Sequence, residues 1–359
     1  MRSRTILSGL AVALATAVAP ASIAGAADSA AIPRTPDGRP DLSGTYDVAT
    51  LTPLVRPERF GEKAFLTHEE ARAIEEEERA LMASSNQASD PNRTAPPDGG
   101  DGSEGASGNV GGYNAFWIDR GSGAFEIDGK FRTSIIVDPP DGRFPPMQPE
   151  ATKRAAVQRG QFRTNRGDAY WLEQEGPGPY DNMEQRGVGE RCLLGFGSVS
   201  GPPMLPVLYN NLKKIVQTPE HVTILVEMNH DARVVRMNQP HLAPEIRRWM
   251  GDSVGHWDGE TLVVDTTNFN DSPGLRQGTR NLHVVERFTR LDGDRLLYQF
   301  TVEDPAVWTA PWSGEYVWPA SDERVFEYAC HEGNYALGNI MRGARILEAD
   351  ALAKQSAKE

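Results

Sequence analysis

Hydrophobic and polar positions alternate most clearly between residues 281 and 304. A period of two residues is typical of a β-strand, whose successive side chains point to opposite faces. Asp292-Gly293 separates the two alternating arms, and this pair tolerates the positive φ that a tight reversal needs. The pattern predicts a β-hairpin. One face of its first arm carries Leu282, Val284, Glu286 and Phe288.

The same turn chemistry recurs at Asp128-Gly129 and Asp258-Gly259, each before a run of β-branched residues. Ten or so short strands at close spacing favour a mainly β fold, an antiparallel meander that forms a barrel or a sandwich. The remaining predicted strands are residues 41–48, 113–118, 131–137, 213–217, 222–228, 233–237 and 324–330. Gly44-Thr45-Tyr46, opening an early strand, resembles lipocalin-like barrels, so a lipocalin-like barrel with short covering helices is the preferred interpretation.

Helices are predicted where capping signals precede helical composition. Thr67 and Glu70 form a capping box before residues 71–82. Further short helices are predicted at 149–160, 244–250 and 337–351. The predicted organisation is a signal peptide (1–26), an N-terminal strand and helix (27–83), a low-complexity acidic loop or linker (84–112), a β domain (113–336) and a C-terminal helix and tail (337–359).

The N-terminus has the pattern of a secretory signal peptide. Arg2 and Arg4 precede an apolar run, and Ala24-Gly25-Ala26 forms a small-residue cleavage pattern. The apolar run is too short for a comfortable membrane span of about 20 residues. We therefore expect a periplasmic or secreted protein, cleaved near Ala26 and without stable membrane insertion.

Charge narrows the range of partners. The chain has 37 Lys and Arg against 50 Asp and Glu, a net charge of −13. An acidic surface repels polyphosphates, so neither nucleic acid nor an anionic membrane is an expected partner. Phosphate-binding, dinucleotide-binding and serine-elbow motifs are absent from the sequence. The expected partner is a small-molecule ligand or substrate, with no cofactor.

Cys192 and Cys330 are the two cysteines of the chain. In an oxidising compartment they are expected to form a disulfide. The alternative is a catalytic thiol at Cys330 beside His331, which requires the reduced form.

Several polar residues are candidates for catalysis. His230 and Asp231 occupy a predicted hairpin tip, where His230 could act as a general base oriented by a carboxylate, or the pair could simply form a turn. His283 and Arg287 share one face of the hairpin. This face is either exposed to solvent or lines a polar cavity. The candidate catalytic set is His230, Asp231, Arg233, His283, Glu286 and His331. The histidines do not show the sequence spacing typical of metal ligands, so no metal site is predicted.

Aromatic residues crowd the segment from residue 303 to 318. Their rings could stack on a ligand or could fill one end of a barrel. The candidate ligand-binding set is Trp308, Trp312, Tyr316, Trp318 and Tyr335.

Six sequence blocks follow one another along the chain: GERCLLG (189–195), GPPMLPVLYNN (201–211), QTPEHVTILVEMNHDAR (217–233), GHWDGETLVVDTTNF (255–269), LHVVERFTR (282–290) and YACHEGNY (328–335). In this order they resemble a large family of exported bacterial β-rich proteins of uncharacterised function. The resemblance covers residues 119–344 and implies no reaction, ligand or catalytic residue.

Two functions are consistent with these features. The first is an exported β-barrel protein that binds a small amphipathic or aromatic ligand. The alternative is a periplasmic lyase, isomerase or hydrolase that uses a His base with Arg and Glu support. An enzyme requires these side chains to converge in one pocket, whereas a binding protein requires only an apolar cavity with scattered polar groups.

Overall fold

The structure is a computed structural model that describes residues 32–86, 92, 118–161, 168–275 and 277–357. Within these ranges the protein is mainly β. The strands are β1 (Gly44–Asp47), β2 (Phe65–Leu66), β3 (Glu126–Ile127), β4 (Lys130–Arg132), β5 (Ile136–Asp138), β6 (Leu212–Gln217), β7 (His221–Val226), β8 (Ala232–Met237), β9 (Asp252–Asp258), β10 (Thr261–Thr267), β11 (His283–Arg290), β12 (Arg295–Glu303) and β13 (Trp312–Pro319). The helices are α1 (His68–Ser85), α2 (Pro149–Gln161) and α3 (Ala336–Ser356).

Ten strands form one curled sheet in the order β1-β6-β7-β8-β9-β10-β11-β12-β13-β5. Neighbouring strands run antiparallel except β8 and β9, which pair in parallel. The curl brings β1 to the end of β13, where Tyr46 bridges Ala320 and the backbone N–H of Ser321 donates to the Thr45 carbonyl at 2.9 Å. The sheet is therefore a half-barrel. A separate small sheet has the order β2-β4-β3.

The hairpin predicted from alternation is confirmed as β11 and β12. Along β11 every second residue is buried, including Val284, Glu286 and Phe288. Because the side-chain period is two, this register places Glu286 inside the curled sheet with the aromatic residues. The hairpin at Asp258-Gly259 is confirmed as β9 and β10, and Asp128-Gly129 joins β3 to β4. The capping box of Thr67 and Glu70 opens α1 as predicted.

Two local predictions are wrong. Residues 244–250 form turns rather than a helix, because the backbone of Arg248 bonds with Asn268 and Asn270. Residues 324–330 form no strand, because two of their N–H groups donate to side chains and Cys330 lies in a turn. The strand predicted at 131–137 divides between β4 and β5. The predictions for 1–26 and 113–117, and for 84–112 apart from residues 84–86 and 92, lie outside the described residues.

Aromatic side chains fill the interior of the half-barrel. Tyr298 is at the centre, with its ring centroid 4.7 Å from that of Trp318 and 5.0 Å from that of Phe288. Tilted and edge-to-face packing of this kind stabilises a core beyond simple area burial. The fully or almost fully buried rings include Tyr46, Phe288, Tyr298, Phe300, Trp312, Tyr316 and Trp318.

Candidate functional site: a cleft beside the disulfide

Cys192 and Cys330 form a disulfide that joins two loops 138 residues apart in sequence. The predicted pairing is confirmed, and in this oxidised form a catalytic thiol at Cys330 is excluded. The Nδ2 group of Asn334 lies 3.4 Å from the Cys192 sulfur, which adds a second contact between the same loops. The disulfide therefore holds the segment before α3 against the loop around residue 190.

An open cleft of about 730 Å³ lies beside this bond, and we call it the disulfide cleft. Three regions of sequence form its walls: the loop at 189–196, the turn at 209–210 and the chain from Glu327 into α3. Its lining is more apolar than polar. The side chains that give it its chemical character are Glu190, Phe196, Tyr209, Glu327, Tyr328, Glu332, Leu337 and Ile340.

Residues 324–330, which we call the strap, contribute residues 327–330 to one wall of the cleft. Its Phe326 N–H donates to Glu227 Oε1 at 3.2 Å, and its Tyr328 N–H donates to His230 Nε2 at 2.8 Å. Glu227 and His230 belong to the turn between β7 and β8. Two side chains of that turn and one disulfide thus fasten the strap.

The β7–β8 turn is the one predicted from Asn229-His230-Asp231. Asn229 and His230 both adopt positive φ, at 62° and 54°. Asn and His are both among the non-glycine residues enriched in this region. The conformation turns the imidazole of His230 towards the strap, where its Nε2 serves as a hydrogen-bond acceptor.

Buried charges lie beside this turn. Lys213 on β6 is fully buried, and among the described residues its Nζ has no hydrogen-bond partner. Burial lowers the pKa of Lys213 to about 7, against the opposing influence of Glu227, Asp231 and Asp47. Burial also raises the pKa of Asp231, although Ser200 and Gly195 stabilise its carboxylate. An amine and a carboxyl with oppositely shifted pKa values therefore face the same turn.

The side chains of Arg233 and Glu286 contact each other in the interior of the half-barrel. They are 53 residues apart in sequence, so no local sequence pattern predicts this contact. Arg233 Nη1 donates to Glu286 Oε1 at 3.0 Å, and Nη2 binds the second carboxylate oxygen. The Tyr298 hydroxyl donates to the same carboxylate at 2.7 Å, and burial raises the pKa of Tyr298 well above its usual value. Arg233 also donates to Ser253. This ion pair is sealed among aromatic rings and is 3% exposed or less.

His283 lies on the opposite, outer face of the sheet. Its Nε2 is 3.0 Å from Asp265, whose other oxygen is 3.0 Å from Nε2 of His241. The second ring nitrogen of His241 lies 3.1 Å from Asp252, which also binds Arg236. The hydrogen bond with Asp265 raises the pKa of His283 against the effect of burial. This alternating chain of His and Asp fastens the loop after β8 to the outer face.

The structure thus distributes the six candidate catalytic residues among four regions. His230 and Asp231 occupy the β7–β8 turn, Arg233 and Glu286 the interior, and His283 the outer face. His331 is exposed next to Cys330 and does not line the cleft. The three histidines do not converge on one cavity.

The candidate ligand-binding aromatics also separate. Trp308, Trp312, Tyr316 and Trp318 are 6% exposed or less, and each contacts another ring of the core. Tyr335 is 78% exposed, between two residues that line the cleft.

Lys213, His241 and the lining of the cleft were not predicted as functional from the sequence. Lys213 carried a local signal, because it shares the inward face of β6 with Ile215 and a lysine on an inward face is unusual. His241 carried none, since its partners Asp252 and Asp265 are brought to it by the sheet.

Among residues 32–86, 92, 118–161, 168–275 and 277–357, no group of three or more His, Cys, Asp and Glu side chains is arranged to hold a metal ion. None of the helices within those same ranges combines the length and apolar character needed to cross a membrane. Comparison with protein-family models, curated proteins and solved structures finds no match to this chain.

Proposed function

We propose that the protein binds a small amphipathic molecule in the disulfide cleft. The observation that supports this proposal is the cleft itself, whose volume of about 730 Å³ lies within the range typical of small-molecule sites. Its walls combine aromatic and aliphatic side chains with a few polar groups. Such a lining buries the apolar part of a ligand and orients its polar end.

The disulfide cleft is not formed by the aromatic segment at residues 303–318, which the sequence indicated as a ligand-binding region. Tyr316 and Trp318 pack against each other and against Tyr298, and Trp312 packs against Phe300 and Trp308, so a ligand among them would have to displace core contacts. Phe196, Tyr209 and Tyr328 line the cleft, and Phe196 is exposed. Stacking surfaces are therefore supplied by a different set of aromatics.

A lyase, isomerase or hydrolase without an organic cofactor is the second candidate function. The observation that favours it is Lys213, an amine with a pKa of about 7 next to the carboxyl of Asp231. Groups that titrate near neutral pH suit proton transfer. Lys213 does not line the cleft, however, so a substrate bound there would not contact its amine. Binding is therefore the better-supported function.

The experiment is a fluorescence titration with 1-aminoanthracene, an uncharged aromatic probe. We expect saturable one-to-one binding to the protein and at least fivefold weaker binding to Ile340→Gln, which places an amide in the cleft wall. Ile346→Gln is the matched control, because Ile346 lies on the same helix, is 55% exposed and does not line the cleft. Equal affinity of the two variants would overturn the proposal.

We further propose that the half-barrel is of the lipocalin-like type and that the protein is periplasmic or secreted, within the exported β-rich family that its sequence blocks resemble. The curled sheet and the bridge between β1 and residue 320 support the first point. The disulfide supports the second, because disulfides persist in oxidising compartments.

A further inference from the structure

The charged side chains that line the disulfide cleft are all carboxylates. They are Glu190, Glu327 and Glu332, and no Lys, Arg or His belongs to the described lining. Glu190 is neutralised locally, since Arg186 Nη2 donates to it at 2.6 Å and the Gly187 N–H at 3.0 Å. The carboxylates that remain available to a ligand are those of Glu327 and Glu332.

Glu327 and Glu332 have no hydrogen-bond or ion-pair partner for their carboxylates within the described part of the chain. They flank the disulfide-bonded Cys330, Glu327 three residues before it and Glu332 two residues after it. Because the disulfide holds this segment against the loop at 189–196, both carboxylates are attached to a fixed wall rather than to a free loop. Both side chains therefore add negative charge to the cleft.

The aromatic side chains in the cleft walls also favour a positively charged group. The faces of aromatic rings carry negative partial charge, and a cation over such a face is stabilised by about 0.5 to 2 kcal/mol. Phe196, Tyr209 and Tyr328 line the same cleft as the two carboxylates. The net charge of −13 acts in the same direction at longer range, since it repels anions and attracts cations.

We propose that the ligand of the disulfide cleft is an organic cation, an apolar or aromatic body that carries an amine or quaternary ammonium group. This inference rests on the proposed binding function and specifies its ligand class. Leu337 and Ile340 of α3 contact the apolar body, while Glu327 and Glu332 receive the charge. An anion of the same shape would meet two carboxylates and no cationic group of the lining.

The test compares three compounds of one shape and different charge by isothermal titration calorimetry: 4-phenylbutylamine, 4-phenylbutan-1-ol and 4-phenylbutyrate. We expect the amine to bind three- to tenfold more tightly than the alcohol, and the carboxylate more weakly than both. Because the carboxylates are solvent-exposed, the advantage of the amine should shrink at high ionic strength.

The double variant Glu327→Gln/Glu332→Gln should bring the amine to the affinity of the alcohol and leave the alcohol unchanged. Asp322→Asn/Glu323→Gln is the matched control, because it changes the net charge equally just before the strap without altering the cleft lining. It should keep the preference for the amine.

The outcomes of these experiments test the ligand class and the binding function separately. If 1-aminoanthracene binds but the amine binds no better than the alcohol, the cationic class is overturned and the binding function stands. Tighter binding of the carboxylate overturns the class in the same way. If 1-aminoanthracene also fails to bind, or binds Ile340→Gln and Ile346→Gln equally, the binding function is overturned as well.

Discussion

The imidazole Nε2 of His230 accepts a hydrogen bond of 2.8 Å from the backbone N–H of Tyr328, 98 residues later in the chain. The contact connects the β7–β8 turn to the strap, and the strap forms a wall of the disulfide cleft. A histidine predicted as a catalytic base thus fastens the wall of the candidate site. It can do so only while this nitrogen carries no proton.

Replacement of His230 by Ala should loosen the strap. The variant lacks the nitrogen that accepts the hydrogen bond from the Tyr328 N–H. We expect faster hydrogen exchange of residues 324–330 in His230→Ala than in the unmodified protein at the same pH. Exposed His221→Ala is the control and should exchange as the unmodified protein does. Equal exchange of the strap in His230→Ala and in the unmodified protein would contradict this assignment.

Replacement of Lys213 by Met should stabilise the protein. The folded pKa of about 7 lies below the usual 10.5, so the unfolded chain binds the extra proton between these values. The unmodified protein should accordingly gain stability as pH rises from about 7 to 10.5, and Lys213→Met should lose that slope. At pH 7 we expect a gain of about 1 to 4 kcal/mol in the free energy of unfolding, measured by urea denaturation.

Lys214→Met is the matched control, because Lys214 is the next residue on β6 and is exposed. Its effect should lie within about 0.5 kcal/mol. Destabilisation by Lys213→Met would show instead that the buried amine holds Asp231, Glu227 and Asp47 together.

Replacement of Glu286 by Gln should strongly destabilise the fold. It leaves the guanidinium of Arg233 buried without a carboxylate, which costs about 3 to 5 kcal/mol. Arg233→Met/Glu286→Leu should cost less than Glu286→Gln alone, because no unpaired charge remains. The control is Arg287→Met, which breaks an exposed ion pair with Asp258 and should cost under about 1 kcal/mol. Chemical denaturation gives all three values, and similar losses for Glu286→Gln and Arg287→Met would contradict the argument.

The bond between His283 and Asp265 should stabilise the protein most in mildly acidic solution. The pKa of His283 is raised in the folded state by Asp265, so its contribution is complete below the unfolded pKa of about 6.5 and is lost as pH rises through the folded value. Burial acts to raise the pKa of Asp265, but hydrogen bonds from His283 and His241 outweigh it, and the net pKa is lowered. The Asp265 contribution is therefore lost only in stronger acid, as pH falls through its lowered pKa.

His283→Gln should therefore reduce the free energy of unfolding more at pH 5.5 than at pH 8.5. The difference should be about 1 kcal/mol or less, because both side chains are more than one-third exposed. His221→Gln provides an exposed control on β7. A His283→Gln effect that is equal at both pH values would mean that the bond does not depend on the imidazolium form.

The amino-acid sequence by itself determined the local elements of this fold. Alternation around Val284 and Phe288 predicts β11, Asp292-Gly293 predicts its turn, and Thr67 with Glu70 predicts the start of α1, because these signals act within a few residues. The presence of only two cysteines likewise allowed a single intramolecular disulfide. Glycine-containing turns and short strand spacing were enough to predict a mainly β protein.

Only the tertiary structure decided where the side chains meet. The curl and order of the sheet bring Glu286 to Arg233, 53 residues earlier, and place His283 outside while its neighbour Val284 is buried. The strap was predicted as a strand, since its sequence does not show whether its N–H groups pair with a strand or with side chains. The disulfide cleft depends on three regions up to about 150 residues apart. No periodicity encodes such a contact, because it follows from how the whole chain packs rather than from local propensity.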